Sequence, residues 1–441
     1  MIDREASWVA QAAGGRLVAG DAGGPGPRRA VVDSREVEPG DLFVGLVGGS
    51  ADGGEFAAGA LEAGAWGALV GPHRAEALAE HAGGAAVIAA DNTLLALQSL
   101  AREWRRELGC RVVGITGSTG KTSTKDILRA LLSQSLATHA NRQNWNTEIG
   151  LPLSILAAER GAEALVLEMA MRGEGQIAEL TAIAEPDVGV IVNVGPVHLE
   201  LLATVERVAA AKAELIRDLR PGATCVLPAN EPLLDPHRRD DVRTITFGEG
   251  GDVRLVSFDG SLAEIDACGS HMSVELSFSE PHNVLNTLAA VAAARALGVE
   301  PRGRLEPEFS SYRGELVELE GGVTVVNDCY NANPMSMRAA LDHLAGTPAE
   351  RRIAILGTMA ELGPDSRRFH REIGEHAATL DIEVLVTVGE EALAFGEGFD
   401  GETYAVATPE EAGALLEELA RPGDRVLVKG SRAVGLERVL A

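Results

Sequence analysis

Lysine is nearly absent from this chain. Of 39 basic residues, only Lys121, Lys125, Lys212 and Lys429 are lysines. Arginine serves wherever a plain positive charge suffices, so the four lysines are candidates for work that a guanidinium cannot do. Aromatic residues are also few, at 4 %, so the cores must be aliphatic. Acid outweighs base to a formal net charge of −26, which argues against nucleic acid and against insertion into or binding to an anionic membrane surface. The four cysteines, Cys110, Cys225, Cys268 and Cys329, show no Cys-x-x-Cys spacing. They are expected as buried free thiols, not disulfides or zinc ligands. No apolar run approaches the ~18 residues of a membrane span, and the first residues lack a basic, then apolar, leader pattern. These features predict a soluble cytoplasmic protein, and 441 residues suggest about three domains.

What is present centres on Gly114-Ile-Thr-Gly-Ser-Thr-Gly-Lys-Thr-Ser-Thr-Lys125. Arg111-Val112-Val113 before it reads as a buried strand, and the residues from Asp126 as an amphipathic helix. A glycine turn between strand and helix lets backbone N–H groups close on a phosphate, with the helix dipole behind them. The strict P-loop spacing fails, because Ile115 stands where its first glycine belongs; the turn is the tighter Thr116-Gly117-Ser118-Thr119-Gly120-Lys121-Thr122. Lys121 is placed for the outer phosphates and the Thr122 hydroxyl for Mg²⁺. Lys125, one helical turn on, is as readily a solvated helix position.

Before this loop lies a small α/β unit, with a strand over 42–47 and a helix over 55–63. Ser34 and Arg35 stand at a strand end, as a diphosphate or uracil contact or as a plain surface turn. After the loop, the polar stretch from Asn141 to Pro152 holds Asn144, Asn146 and Thr147 and reads as a binding loop. Two buried strands end in Glu168 and in Asn193…His198. Parallel sheets carry function at the carboxyl ends of strands, so Thr122, Glu168 and His198 can converge on one Mg²⁺. Lys212 sits among alanines in a helix; a buried amine there has a lowered pKa and can take up CO₂ as an anionic carbamate, or can simply snorkel. Asn283 opens a long alanine-rich helix as an adenine contact or a cap. From about residue 301, strands and helices alternate again, and the last strand runs into Lys429-Gly-Ser-Arg432, an anion-binding pattern.

Together these stretches resemble the Mur ligase family, ATP-dependent enzymes that form amide bonds in peptidoglycan precursors. Thr116 to Thr122, the Glu168 strand, Asn193…His198, the Lys212 helix and His282-Asn283 look like its shared ATPase core. Asp328-Cys-Tyr-Asn-Ala-Asn-Pro334, Met359-Ala-Glu-Leu-Gly363 and Val428-Lys-Gly-Ser-Arg432 look like the member that adds a dipeptide. Gly54 stands where the family usually shows His, and Ala170 where glycine is more usual.

The resemblance implies an α/β fold in three domains. Residues 1–108 form a small α/β domain for the UDP-sugar, residues 109–300 a P-loop-type ATPase sheet, and residues 301–441 a Rossmann-like domain for the incoming dipeptide. It implies a monomer acting on UDP-MurNAc-tripeptide, D-Ala-D-Ala and ATP with Mg²⁺, through an acyl phosphate. Lys121, His198, Lys212 and Lys429 would carry catalysis. Gly117, Ser118, Thr119, Gly120, Lys121, Thr122, Asn283, Arg313 and Asn331 would hold the nucleotide. Thr122, Glu168, His198 and a carbamylated Lys212 would hold the metal, and Ser34, Arg35, Asn144, Asn146 and Thr147 the UDP-sugar peptide.

Overall fold

The structure, a computed structural model, describes residues 4–49, 51–142 and 144–440. Three sheets follow one another along the chain. The first has five short strands in the order Arg16–Ala19, Ala86–Ala89, Gly67–Val70, Leu42–Val44 and Ala30–Val31, all parallel except the first pair. The strand expected over 42–47 stops at Val44, and the helix expected over 55–63 is a 3₁₀ turn, Gly53–Phe56, followed by Ala57–Glu62. Asp52 accepts from the Gly54 N–H at 2.9 Å and fixes that tighter entry.

The helix Thr93–Leu108 joins the first sheet to the second. Asn92 caps its start, and Gly109, at φ 62°, ends it. Its Leu97, Leu100, Ala101 and Trp104 are buried in one cluster with residues from both sides of position 108. The Trp104 indole donates to the Ala158 carbonyl at 3.0 Å, which satisfies its one polar atom inside an otherwise apolar contact.

The central sheet has ten strands. Its parallel half runs Thr138–Ala140, Ala164–Glu168, Arg111–Thr116, Val188–Ile191, Thr224–Pro228 and Arg243–Phe247. The strand foreseen over 111–113 continues to Thr116, because Ile115 and Thr116 pair with Val190 and Ile191. Helices cover both faces, so these strands are apolar on both sides, as buried parallel strands must be. An antiparallel extension, Val253–Phe258, Leu262–Ala267 and Ser270–Leu276, faces water on one side. Cys268 lies in its turn at φ 54° and is exposed, against the expectation of four buried thiols; turn geometry overrides the usual burial of cysteine there.

The third sheet has six strands in the order Glu315–Leu319, Val323–Asp328, Asp424–Lys429, Arg351–Gly357, Val384–Val388 and Glu402–Val406, parallel after the first pair. It is α/β like the other two. Asp328 and Lys429 are register partners at the carboxyl ends of neighbouring strands. The second and third sheets approach closely at Gly195, where a Cβ would collide with the Met335 thioether.

Candidate active site

The turn after the strand Arg111–Thr116 is held open by specific partners. Gly120 is left-handed, at φ 73°, and a Cβ there would lie 2.8 Å from Asn286 Oδ1, so glycine is required on both counts. Asn193 Oδ1 accepts from the Ser118 N–H at 3.0 Å and the Thr119 N–H at 2.9 Å, and its Nδ2 donates to Thr119 Oγ1 at 2.8 Å. The helix Lys121–Leu132 that follows has no side-chain cap. Its first N–H groups are therefore free for an anion. Lys121 Nζ folds back onto the Gly117 carbonyl at 2.9 Å.

Glu168 is the hub beneath this turn. Thr122 Oγ1 donates to its Oε2 at 2.8 Å, and Asn146 Nδ2 to its Oε1 at 2.9 Å. Its N–H donates to Asn141 Oδ1 at 2.9 Å, and Asn141 Nδ2 returns a bond to its carbonyl at 3.0 Å. Burial acts to raise the Glu168 pKa, but Lys121, Arg313, Lys125 and the Thr122 hydroxyl outweigh it, and the net shift is downward. The carboxylate stays ionised inside the protein, a buried anion among cations. Lys121 is shifted down by burial; Glu168 opposes the shift, and Arg313 adds to it more weakly.

The third sheet closes the other wall. Lys429 Nζ donates to Asp328 Oδ2 at 2.6 Å and to the Asn331 carbonyl at 3.0 Å. The Arg313 guanidinium stacks 4.1 Å from the Tyr330 ring centroid, and its Nε has no hydrogen-bond partner among the described residues. Between the walls lies a cleft of about 680 Å³, a volume suited to a nucleotide-sized ligand.

The cleft brings together most of the residues read from the sequence. Ser118, Thr119, Gly120, Lys121 and Thr122 line it, and so do Asn144, Asn146, Thr147, Glu168, His198, Arg313, Asn331 and Lys429. Gly117 shapes the turn from behind, at φ 158°. Asn283 does not line the cleft; it is buried with its side chain near Glu280 and Asn286, and Asn286 takes its place at the wall. Ser34 and Arg35 lie outside it on the first sheet's unit. Arg35 is 87 % exposed and pairs with Asp33 at 2.5 Å; its hydrogen bonds hold the Asp33 carboxyl down at about 2.

Lys125 is no solvated helix position. It is 3 % exposed and donates to the Asn141 carbonyl at 3.1 Å, beside Asp126 at 3.2 Å. Lys212 is 2 % exposed. Burial, and then the like charge of Lys121, push its pKa well below the usual lysine value. Lys121 and Lys429 line the cleft, whereas Lys125 and Lys212 do not; Lys125 acts on Glu168 by its charge, and Lys212 lies within reach of the charge of Lys121.

Sequence reasoning notes Asn193 at a strand end and Glu361 within Met359–Gly363 but gives neither a role at the site, and it gives none to Asn286. Asn193 ends a strand beside the glycine turn, a signal that was available. Glu361 comes from the third sheet's unit and accepts a hydrogen bond from His198 Nδ1; the motif that holds it is visible in the sequence, but its pairing with His198 is not.

The oxygen donors, the ionised buried Glu168 carboxylate and the Thr122 hydroxyl, suit a hard divalent cation, and the His198 imidazole stands beside them in the lining as a softer third donor. No group of three or more His, Cys, Asp or Glu side chains gathers among the described residues to hold a metal by protein alone. Mg²⁺ normally takes one or two carboxylates and completes its shell with substrate phosphates and water, so the residues fit.

Comparison with known proteins agrees with this geometry. The Mur ligase middle domain matches residues 115–294, and the Mur ligase, glutamate ligase domain matches residues 312–432. A UDP-N-acetylmuramoyl-tripeptide--D-alanyl-D-alanine ligase of Synechocystis sp. is 37 % identical over 93 % of this chain and 90 % of its own. The crystal structure of MurF from Acinetobacter baumannii superposes with a TM-score of 0.86 at 28 % identity, covering 99 % of this chain and 98 % of that one. MurF of Thermotoga maritima, solved in complex with ADP, superposes with a TM-score of 0.80 at 35 % identity over 94 % and 96 % of the two chains. The chain belongs to the Mur ligase family, among the UDP-N-acetylmuramoyl-tripeptide--D-alanyl-D-alanine ligases.

Proposed function

We propose that this protein uses ATP to join D-alanyl-D-alanine to UDP-N-acetylmuramoyl-tripeptide, forming UDP-MurNAc-pentapeptide for peptidoglycan synthesis. One observation carries the reading most. The uncapped helix at Lys121, from the central unit, and the cations Arg313 and Lys429, both from the third sheet's unit, face a single cleft. Only a highly charged anion, such as a triphosphate, makes use of that convergence.

A terminal carboxylate oxygen of the tripeptide attacks the γ-phosphorus of ATP, and the bond to ADP breaks. The dipeptide amine then attacks the acyl phosphate, the C–O bond to phosphate breaks, and the amine proton is lost. No protein nucleophile is required; the residues position and neutralise charge. Lys121 and the free N–H groups at the start of its helix hold the outer phosphates, and the turn Gly117 to Gly120, braced by Asn193, encloses them. Arg313, Asn331 and Lys429 reach the nucleotide from the C-terminal side, with Asn283 supporting the base-binding wall. Thr122, Glu168 and His198 would hold Mg²⁺, and Lys212, carbamylated, would add a fourth, anionic donor. The metal supplies charge neutralisation at the transferring phosphoryl group.

Asn144, Asn146 and Thr147 contact the peptide end of the substrate, and Ser34 and Arg35 its UDP end. Residues 1–108 thereby serve the sugar nucleotide, 109–300 ATP, and 301–441 the dipeptide, and closure of the last unit completes the site. The enzyme acts as a cytoplasmic monomer on small molecules. No helix among the described residues is long and apolar enough to cross a membrane.

Phosphate release by the purified enzyme tests the reading. With ATP and UDP-MurNAc-tripeptide present, D-Ala-D-Ala should drive release and single amino acids should not. Equal release with meso-diaminopimelate or lysine would overturn it.

A further inference from the structure

His198 and Glu361 meet across the two large sheets. His198 is left-handed, at φ 54°, and begins the short helix Leu199–Leu202. Glu361 is left-handed as well, at φ 63°. Its carboxylate accepts from His198 Nδ1, and its carbonyl accepts from the Glu200 N–H at 3.3 Å. Its other oxygen lies 3.6 Å from Arg172 Nε, on the loop that follows Glu168. His198 and Arg172 both line the cleft, whereas Glu361 stands behind them.

The segment that carries Glu361 is anchored. The Met359 N–H donates to His370 Nε2 at 2.9 Å, and the Ala360 N–H to Ser431 Oγ at 2.9 Å. Ser431 is two residues from Lys429, so one rigid piece of the C-terminal unit presents Lys429 to the cleft and Glu361 to His198.

We propose that Glu361 is a positioning residue for His198. A carboxylate that accepts from Nδ1–H fixes the tautomer in which Nε2 is unprotonated, and it orients the ring. Nε2 has no protein partner among the described residues. With the C-terminal unit docked, Glu361 thus holds His198 in the tautomer and orientation that present the Nε2 lone pair to a cation. Metal binding in the central unit is coupled to the position of the third sheet. This rests on His198 being a metal ligand, as proposed above.

Mn²⁺ titration of the full-length protein in the presence of ADP, followed by electron paramagnetic resonance, reads the coupling without turnover. Second-sphere partners of ligating histidines typically contribute about 10–100-fold in affinity. Glu361→Ala should weaken Mn²⁺ binding by about that factor. Glu361→Gln keeps an acceptor for Nδ1–H but loses the charge facing Arg172, and it should restore most of the affinity. Thermal melting of both variants should stay near that of the unsubstituted protein, since Glu361 is partly exposed. Equal losses in the two variants would assign the effect to the Arg172 ion pair and overturn the positioning role. An unchanged affinity in both, with His198→Ala weakened, would overturn the inference and leave the metal-ligand reading intact. An unchanged affinity in His198→Ala would overturn both.

Discussion

Lys429 and Asp328 are opposite one another in parallel register, and their side chains meet at 2.6 Å with Lys429 almost wholly buried. The pair fixes an ammonium in the wall of the cleft, where the proposed function calls for a phosphate to bind. Charge is thereby in place before substrate arrives, which is how a preorganised site lowers a barrier.

Asp328→Asn should leave that ammonium buried without its counter-ion. Breaking a buried pair from one side destabilises by roughly 3–5 kcal/mol; Asp328 is about a quarter exposed, so a value toward or below the lower end is expected in urea unfolding. Lys429→Arg should fare little better than Lys429→Ala in kcat, because the site fits a compact ammonium on the Asp328 carboxylate and the Asn331 carbonyl and not a planar fork. Full activity in Lys429→Arg would contradict this account of the lysine.

Lys212 is buried with a depressed pKa. A depressed pKa leaves more neutral amine at neutral pH, and the neutral amine is the form that takes up CO₂. Protein equilibrated with ¹³C-bicarbonate should show a carbamate resonance that Lys212→Arg lacks. Lys212→Arg should also lose about 10–100-fold in activity, as loss of metal-site support does. No incorporation of label in the active protein would exclude the carbamate.

His370 offers a test of stability against pH. Nε2 accepts from Met359 N–H at 2.9 Å, so Nδ1 must carry the proton it donates to the Ser366 carbonyl at 2.7 Å. Burial pushes its pKa below the ordinary 6.5, against the opposing Ser366 bond. The unfolded chain therefore binds a proton that the folded chain refuses. Stability is full above pH 6.5 and declines as pH falls below it, by up to ~1.4 kcal/mol per pH unit from this group. His370→Gln should be less stable at pH 8 and show a shallower acid limb. His139, His282 and His343, also depressed by burial, keep part of the slope. An acid limb as steep in the variant as in the unsubstituted protein would assign the slope to other groups.

The nucleotide end of the cleft was readable because its determinants are local. A glycine turn between strand and helix, a lysine and a carboxylate at a strand terminus each follow from a few neighbouring residues. The scarcity of lysine pointed to the same region, and even Lys125 proved buried there. Asn283 and Asn286 lie on adjacent turns of one helix, and which of them faces Gly120 depends on helix phase relative to the sheet, which composition does not contain. Glu361 is 163 residues from His198 and is delivered by the docking of a separate sheet. Such contacts are properties of tertiary arrangement. The Cys268 turn and the shortened strand at Leu42–Val44 were missed for a smaller reason, since element ends depend on turn geometry as much as on apolar pattern.

Activation of a carboxylate by phosphoryl transfer in this cleft is tested most directly by isotope. UDP-MurNAc-tripeptide labelled with ¹⁸O in its terminal carboxylate is turned over with ATP and D-Ala-D-Ala, and the inorganic phosphate is analysed by mass. An acyl phosphate places one carboxylate oxygen in each phosphate released, so the label should appear there in step with product. Phosphate free of label, formed at the same rate as the amide, would contradict the account.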